Sequence, residues 1–180
     1  MRCTIKGMIK PPTPSDEIAR LAALYDLEIL DTHEEKIFNE LASLAAYVCK
    51  APIALITLID SDRQWFKAKV GIDVDETPRE LSFCAHAILQ DDTMEVHDAL
   101  NDERFRDNPF VESDPHVRFY AGAPLKTTEG YKLGTLCVVD RVPRDLSEGQ
   151  LAALRALSNQ VTSQLELRRE IRRLERALGD

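Results

Sequence analysis

Residues 116–140 constrain the fold of this chain more than any other stretch, because they contain two strand-like runs separated by a turn. In the first run apolar side chains recur at every second residue, and in the second run both alternate rows are largely apolar. Alternation places one row on a core, and a strand that is apolar on both rows is typical of the centre of a covered sheet. Gly122, Ala123 and Gly134 leave little side-chain volume there, which indicates either a kink in a core sheet or room for a ligand.

Two amphipathic helices are predicted before the first strands. The first begins at Asp16 with Ser15 as its N-cap, and the second follows a capping box formed by Thr32 and Glu35. The predicted apolar stripes are Ile18, Leu21, Ala22 and Tyr25 in the first helix, and Ile37, Leu41, Leu44 and Val48 in the second. Residues 53–60 and 64–71 then have the pattern of two strands, and their short link predicts an antiparallel hairpin.

A long helix is predicted at the C-terminus, beginning at a capping box of Ser147 and Gln150 and running to about Leu178. Its final turns carry a stripe with the 4-3-4 spacing of a coiled-coil seam. Solvent exposure of such a row is unfavourable, so we expect a parallel homodimer in which this stripe and the N-terminal helix form a four-helix bundle, with the ligand pockets distal to it. The alternative is a monomer whose N-terminal helix folds back over the stripe. The stripe consists of Leu167, Ile171, Leu174 and Leu178.

The charge balance narrows the range of partners. The 180 residues include 31 acidic and 23 basic side chains, which give a formal net charge of -8. An acidic chain is a poor partner for nucleic acid or for an anionic membrane. The longest apolar run, residues 51–59, is too short to cross a bilayer, and the first ten residues lack the continuous apolar core of a signal peptide. We therefore expect a cytoplasmic protein.

Cysteine and histidine residues raise the question of a metal site. The four cysteines lie far apart, without metal-ligand or redox-motif spacing, so buried reduced thiols are expected. Cys84 and His86 are two residues apart on a predicted helix and do not share a face. A metal site there would need His97 or His116 from other elements, whereas a helix-packed thiol and a hydrogen-bonded histidine are the simpler interpretation. The cysteines are Cys3, Cys49, Cys84 and Cys137.

Four segments in order resemble the GAF domain family of small-molecule sensor modules, in the bacterial branch found ahead of signalling outputs. They are SFCAHAIL (82–89), VHDALNDERFRDNP (96–109), VRFYAGAPL (117–125) and LGTLCVVDRVPRDLS (133–147). The resemblance covers roughly residues 20–165. It implies an α+β fold with a five- or six-stranded antiparallel sheet, terminal helices on one face, and a pocket roofed by helix and loop on the other. We accordingly divide the chain into a flexible segment 1–14, a sensor domain 15–165 and a coiled-coil-like extension 166–180.

The chain departs from the chemically specialised branches of that family. Bilin-binding members commonly have histidine directly after the attachment cysteine, whereas Ala85 separates Cys84 from His86 here. Members that bind cyclic nucleotides carry an Asn-Lys-Phe-Asp-Glu set, which this chain echoes only loosely and without the lysine. Free methionine sulfoxide reductases have clustered cysteines, which the spacing here does not predict. The resemblance therefore identifies no cofactor or ligand.

The expected function is a regulatory sensor module that binds a small molecule or partner and signals through its terminal helices to an output domain. A dimerisation module whose pocket is filled by side chains is the alternative, and an enzyme with an unrecognised site is a third interpretation. No catalytic motif surrounds any serine. Asp98 is expected to pair with Arg104, or Asp102 with Arg118, unless Arg118 contacts an anionic ligand. The candidate ligand-binding residues are Ser82, Phe83, Cys84, His86, Asp98, Phe110, Phe119 and Tyr120.

Overall fold

The computed structural model describes residues 7–179, so Cys3 and residues 1–6 of the predicted flexible segment 1–14 lie outside the described part. Residues 7–14 contain no helix or strand. The described residues contain a short 3-10 helix, Arg79–Leu81, and five α-helices: α1 Glu17–Asp26, α2 Lys36–Cys49, α3 Phe83–Ala87, α4 Pro109–Glu112 and α5 Glu148–Gly179. Within the described residues no helix combines the length and apolar character that a membrane crossing requires.

Six strands form one antiparallel sheet in the order β3-β2-β1-β6-β5-β4. The predicted hairpin of residues 116–140 is β5 paired with β6, and β6 also pairs with β1, which explains why both of its alternate rows are apolar. The α+β architecture expected from the sequence is confirmed. The strands are β1 Ile53–Ile59, β2 Arg63–Val70, β3 Glu76–Pro78, β4 Met94–Val96, β5 Phe119–Lys126 and β6 Lys132–Asp140.

The sheet separates two apolar cores. Alternate residues of β1, such as Ala54 and Ile56, face the core that α1, α2 and α5 cover. Their neighbours Ile53 and Leu55 face the second core, which α3 and the segments around it cover. Because successive side chains of a strand point to opposite faces, the four central strands β1, β2, β5 and β6 contribute to both cores.

The buried faces of the first two helices differ from the predicted stripes. In α1, Leu24 is fully buried, whereas Ile18 is 90% exposed and Tyr25 is 48% exposed. In α2 the predicted Ile37 and Leu44 remain 40% and 46% exposed. Two rows of apolar residues follow helical spacing in α2. The row that contains small residues is the buried one, because small side chains let the helix pack closely on the sheet, and the other row remains on the surface. The buried row is Phe38, Ala42, Ala45 and Cys49.

Only one of the two predicted capping boxes forms. At α5 the Ser147 N–H donates to Gln150 Oε1 at 3.0 Å, and the Gln150 N–H donates to Ser147 Oγ at 3.2 Å, as the spacing predicted. At α2 the Thr32 hydroxyl instead donates to the Ile29 carbonyl at 2.6 Å, and Glu35 is the N-cap residue without a side-chain cap. Ser15 is likewise not the cap of α1, whose N-cap is Asp16.

An ionic network replaces the capping box before α2. The ammonium of Lys67, on β2, is buried and lies 2.8 Å from Glu35 Oε1, 3.0 Å from Thr32 Oγ1 and 2.6 Å from the His33 carbonyl. Arg168 of α5 donates to the same Glu35 oxygen at 3.0 Å. Burial lowers the pKa of Lys67, and Glu35 opposes that shift. The network therefore joins the sheet to α5 through one carboxylate.

Candidate functional site

A cavity of about 480 Å³ lies between the sheet and the chain segments that cover its second face. Its floor comes from β1, β2, β5 and β6, and its roof from residues 81–84. The segments 71–77 and 110–117 form its sides. The volume falls within the range of small-molecule sites in proteins, and the lining is mostly apolar, as in such sites.

One wall of the cavity carries a polar network made by neutral side chains. Gln64 of β2 donates from Nε2 to Thr77 Oγ1 at 3.1 Å, and its Oε1 accepts a hydrogen bond from the Ser82 hydroxyl. Ser82 also caps α3, because its Oγ accepts the Ala85 N–H at 3.0 Å. The network fixes the roof helix against β2 and leaves amide and hydroxyl groups beside the cavity.

An aromatic cluster supports the roof from behind. Phe83, at the start of α3, stacks on Phe105 with ring centroids 3.9 Å apart and lies 5.4 Å from the Tyr120 ring. His86 contacts Phe105 edge-on, and its Nε2 lies 3.2 Å from the Ile9 carbonyl. Burial lowers the pKa of His86, which favours the neutral imidazole.

Charged groups lie only at the rim of the cavity among its described lining residues. Asp73, Asp114 and Arg141 are exposed to solvent, and the Arg141 guanidinium donates from Nε to the Pro115 carbonyl at 3.0 Å. The enclosed part has thiol, hydroxyl, phenol and amide groups but no cation. A polyanionic ligand would therefore lack a partner for its charge inside the cavity.

The structure brings five of the eight predicted ligand-binding residues together along the cavity: Ser82, Phe83, Cys84, Phe110 and Tyr120. The other three lie elsewhere. Phe119 belongs to the helix-side core, because adjacent strand residues face opposite sides and Tyr120 faces the cavity. His86 lies behind the roof, and Asp98 binds the Leu100 N–H and the Asn101 amide at a surface turn.

The predicted ion pairs of this region do not form. Arg104 binds Asp102 through two nitrogen atoms, rather than Asp98. Arg118 donates to the Val111 and Val117 carbonyls and does not line the cavity. Both arginines thus have partners within the protein, and neither lines the cavity.

Several lining residues were missed by the sequence analysis although a signal existed for some of them. Tyr120 pairs with Val139 in the sheet, so alternation along β6 also places Cys137 on the cavity face. The same alternation along β1 and β2 identifies the row of each strand that faces the cavity. Residues 71–77 follow no such alternation, so only the tertiary structure shows that some of them line the cavity. The missed floor residues are Ile53, Leu55, Gln64, Phe66, Cys137 and Val139.

Packing accounts for the two sheet glycines. A Cβ at Gly134 would lie 1.8 Å from the Thr57 carbonyl oxygen, so this glycine permits close approach of β1. A Cβ at Gly122 would lie 2.0 Å from the Tyr120 hydroxyl, so the missing side chain leaves room for the Tyr120 ring. Gly122 thus positions a cavity residue, and Gly134 is required by the strand pairing.

The thiols are arranged differently from the expectation of separate, unclustered cysteines. Cys84 of α3 and Cys137 of β6 bring their sulfur atoms to 3.8 Å, and both are buried free thiols. Cys49 lies in the helix-side core. Across residues 7–179, no three His, Cys, Asp or Glu side chains are grouped to hold a metal ion, and His97 instead lies beside Asp145.

Comparisons with known proteins agree with this architecture. A cyclic di-GMP phosphodiesterase of Pseudomonas aeruginosa is 44% identical over 173 residues, which cover 96% of this chain but only 30% of that protein. The GAF domain of an Acinetobacter phosphoenolpyruvate-protein phosphotransferase superposes with a TM-score of 0.63 at 17% identity, covering 88% of this chain and 98% of that chain. The blue-light absorbing form of the PixJ GAF domain from Thermosynechococcus elongatus gives 0.57 at 14% identity, with 88% and 94% coverage.

The family is established by a direct match. The sequence model of the GAF domain matches residues 33–165, which is most of the chain and includes every strand of the sheet. The four segments that carry the resemblance in the sequence all lie within this range. The chain therefore belongs to the GAF domain family.

Proposed function

We propose that this chain is the sensory module of a bacterial signalling protein, and that it binds a compact, largely apolar and uncharged molecule in the cavity. The observation that carries the proposal is the open volume of about 480 Å³ between the sheet and its roof. Its enclosed surface offers apolar contacts and the neutral groups of Gln64, Thr77 and Ser82 for orientation. The alternative of a pocket filled by side chains is disfavoured by that open volume.

A regulatory rather than catalytic role is part of this proposal. The chain spans 30% of the length of the phosphodiesterase that it resembles, so we assign that protein's activity to regions beyond the shared part. Among the described residues that line the enclosed part of the cavity there is no histidine, lysine or carboxylate that could act as a general base. We infer that ligand occupancy is the input and that an output domain of the same or another chain receives the signal.

The path that we propose for the signal leaves the cavity along β2. Gln64 and Phe66 line the cavity, and the next residue, Lys67, points to the opposite face of the sheet. There it binds Glu35, which also binds Arg168 of α5. A shift of β2 on ligand binding would therefore change the contacts that hold the projecting part of α5.

Ligand binding can be tested by native mass spectrometry of freshly purified protein, followed by a thermal-shift screen of neutral aromatic compounds, amino acids, nucleotides and tetrapyrroles. A ligand present at 100 times its Kd stabilises the native state by about 2.7 kcal/mol. We expect retained mass or a Tm increase with apolar compounds, and no effect from nucleotides. Val139→Phe, which adds volume inside the cavity, should remove the effect, whereas Val142→Phe, at a 57% exposed position, should retain it. Equal shifts in both variants would contradict the proposed site.

We also propose that two copies associate through their helical faces. The seam residues Leu167 and Ile171 are 52% and 47% exposed, and they line a groove with Ile37 of α2. Within the chain α5 packs mainly on α2, and its arginines also pair with Asp26 at the end of α1 and with Glu28 just after it. A second copy would cover the groove, together with Leu174 and Leu178, which are 62% and 86% exposed.

Light scattering tests this assembly. We expect a dimer at micromolar concentration for the unaltered chain and a monomer for the double variant Leu167→Glu/Ile171→Glu, because two carboxylates would be buried in the interface. Ile18→Glu is the matched control, since Ile18 is also exposed but lies on α1. A monomeric unaltered chain, or a dimer that survives the double substitution, would refute the proposed interface.

A further inference from the structure

The two thiols of the cavity are placed so that they can react with each other. Cys84 Sγ lies 3.8 Å from Cys137 Sγ, although 53 residues separate them in the sequence. Cys84 belongs to the roof and Cys137 to the floor, and both line the cavity. Their relative exposures of 2% and 0% leave the cavity as the route by which a small reagent reaches them.

The environments of the two thiols are unequal. The Tyr120 hydroxyl donates to Cys84 Sγ at 3.3 Å. Burial alone would raise the pKa of Cys84, but hydrogen bonds from the Cys137 thiol, neighbouring threonine hydroxyls and Tyr120 lower it. The hydrogen bond to Cys84 and burial raise the pKa of Cys137. Cys84 is thus the thiol better able to become a thiolate, and Cys137 keeps its proton.

We propose that Cys84 and Cys137 are a reversible dithiol that hydrogen peroxide, entering through the cavity, oxidises to a disulfide. The Cys84 thiolate attacks one peroxide oxygen, so that an S–O bond forms, the O–O bond breaks, and the leaving hydroxide takes up a proton to become water. The Cys137 sulfur, after losing its proton, then attacks Cys84 sulfur, and hydroxide leaves as a second water. Two thiols and one peroxide thereby give one disulfide and two waters.

The disulfide would connect the roof of the cavity to its floor. The sulfur atoms must approach from 3.8 Å to about 2.05 Å, which draws α3 toward β6. Ser82, which caps α3, and Phe83 both line the cavity, so the available volume would change with oxidation. This inference goes beyond ligand sensing, because the reaction needs only peroxide and the two thiols.

Intact mass and peptide mapping test the proposal on the full chain. Native protein is treated with peroxide, unreacted thiols are alkylated after denaturation, and trypsin is added. We expect a loss of about 2 Da, two fewer alkylated thiols, and a linked pair of peptides 80–104 and 133–141. Dithiothreitol, a dithiol reductant, should restore both thiols.

Two variants control for other cysteines. A chain with Cys3→Ser and Cys49→Ser retains the pair and should cross-link as the unaltered chain does, whereas Cys84→Ala should not lose the 2 Da of mass. The peptide map of the unaltered chain decides the matter even if a variant folds poorly. Two free thiols at positions 84 and 137 after treatment, oxygen adducts without a link, or a linkage that involves Cys49 would each overturn the proposal.

Discussion

Replacing Glu35 with Gln tests the network that joins the sheet to α5. The change keeps the shape of the side chain and removes the charge that lies 2.8 Å from the Lys67 ammonium. Removing one partner of a buried ion pair costs about 3–5 kcal/mol. Lys67 is fully buried but Glu35 is 36% exposed, and two neutral acceptors of Lys67 remain, so we expect a loss of about 2–3 kcal/mol.

The assay is urea unfolding followed by the fluorescence of Trp65, the single tryptophan, which is buried on β2. Glu34→Gln is the matched control, because this neighbouring carboxylate is exposed and accepts a hydrogen bond from the Asn39 amide rather than from the buried lysine. Adding Lys67→Met to Glu35→Gln should recover most of the loss, since no unpaired ammonium is then buried. A Glu35→Gln midpoint equal to that of Glu34→Gln would refute the reasoning.

The same variant has a characteristic pH dependence. Burial lowers the pKa of Lys67 and Glu35 opposes this, so in Glu35→Gln the pKa falls further. Between the lowered folded pKa and the ordinary lysine value of about 10.4, the unfolded chain binds more protons than the folded chain. The folded wild type releases the Lys67 proton at a higher pH than the folded variant, so the stability deficit of the variant should shrink as the pH rises from the folded pKa of the variant to that of the wild type. A constant difference would place the loss elsewhere than at Lys67.

Two further predictions concern the sheet and acid stability. Gly134→Ala should lower the free energy of unfolding in urea by about 3 kcal/mol, because the added Cβ would meet the Thr57 carbonyl. Gly149→Ala is the control, since an added Cβ there has its nearest neighbour at 3.9 Å, and it should raise the free energy of unfolding by about 0.5–1 kcal/mol. Equal effects of the two substitutions would contradict this prediction. Burial alone would raise the pKa of Glu17, but two arginine partners lower it to about 2. The stabilisation by the ionised Glu17 is complete above the ordinary glutamate pKa of about 4.3 and is lost as the pH falls toward 2. Calorimetry of Glu17→Gln should therefore show a smaller decline in Tm over that pH range. A decline equal to that of the unaltered chain would contradict this prediction.

The sequence by itself determined the elements whose signals are local. The Ser147–Gln150 capping box needs only four consecutive residues, and it forms as predicted. The alternation in residues 116–140 likewise identified β5 and β6 and the central position of β6. In each case the deciding hydrogen bonds or side-chain directions lie within one element and its nearest neighbour, so the sequence pattern is sufficient.

Tertiary structure alone decided which of several locally possible contacts form. Both apolar rows of α2 have helical spacing, and only packing on the sheet selected Phe38 over Ile37 for burial. Glu35 has the spacing of a capping box, yet the buried ammonium of Lys67, 32 residues away, binds it instead. The sulfur atoms of Cys84 and Cys137 likewise come together only because the fold places α3 against β6. Such contacts depend on the position of distant segments, because many small packing energies together set that position and no single pattern in the chain encodes it.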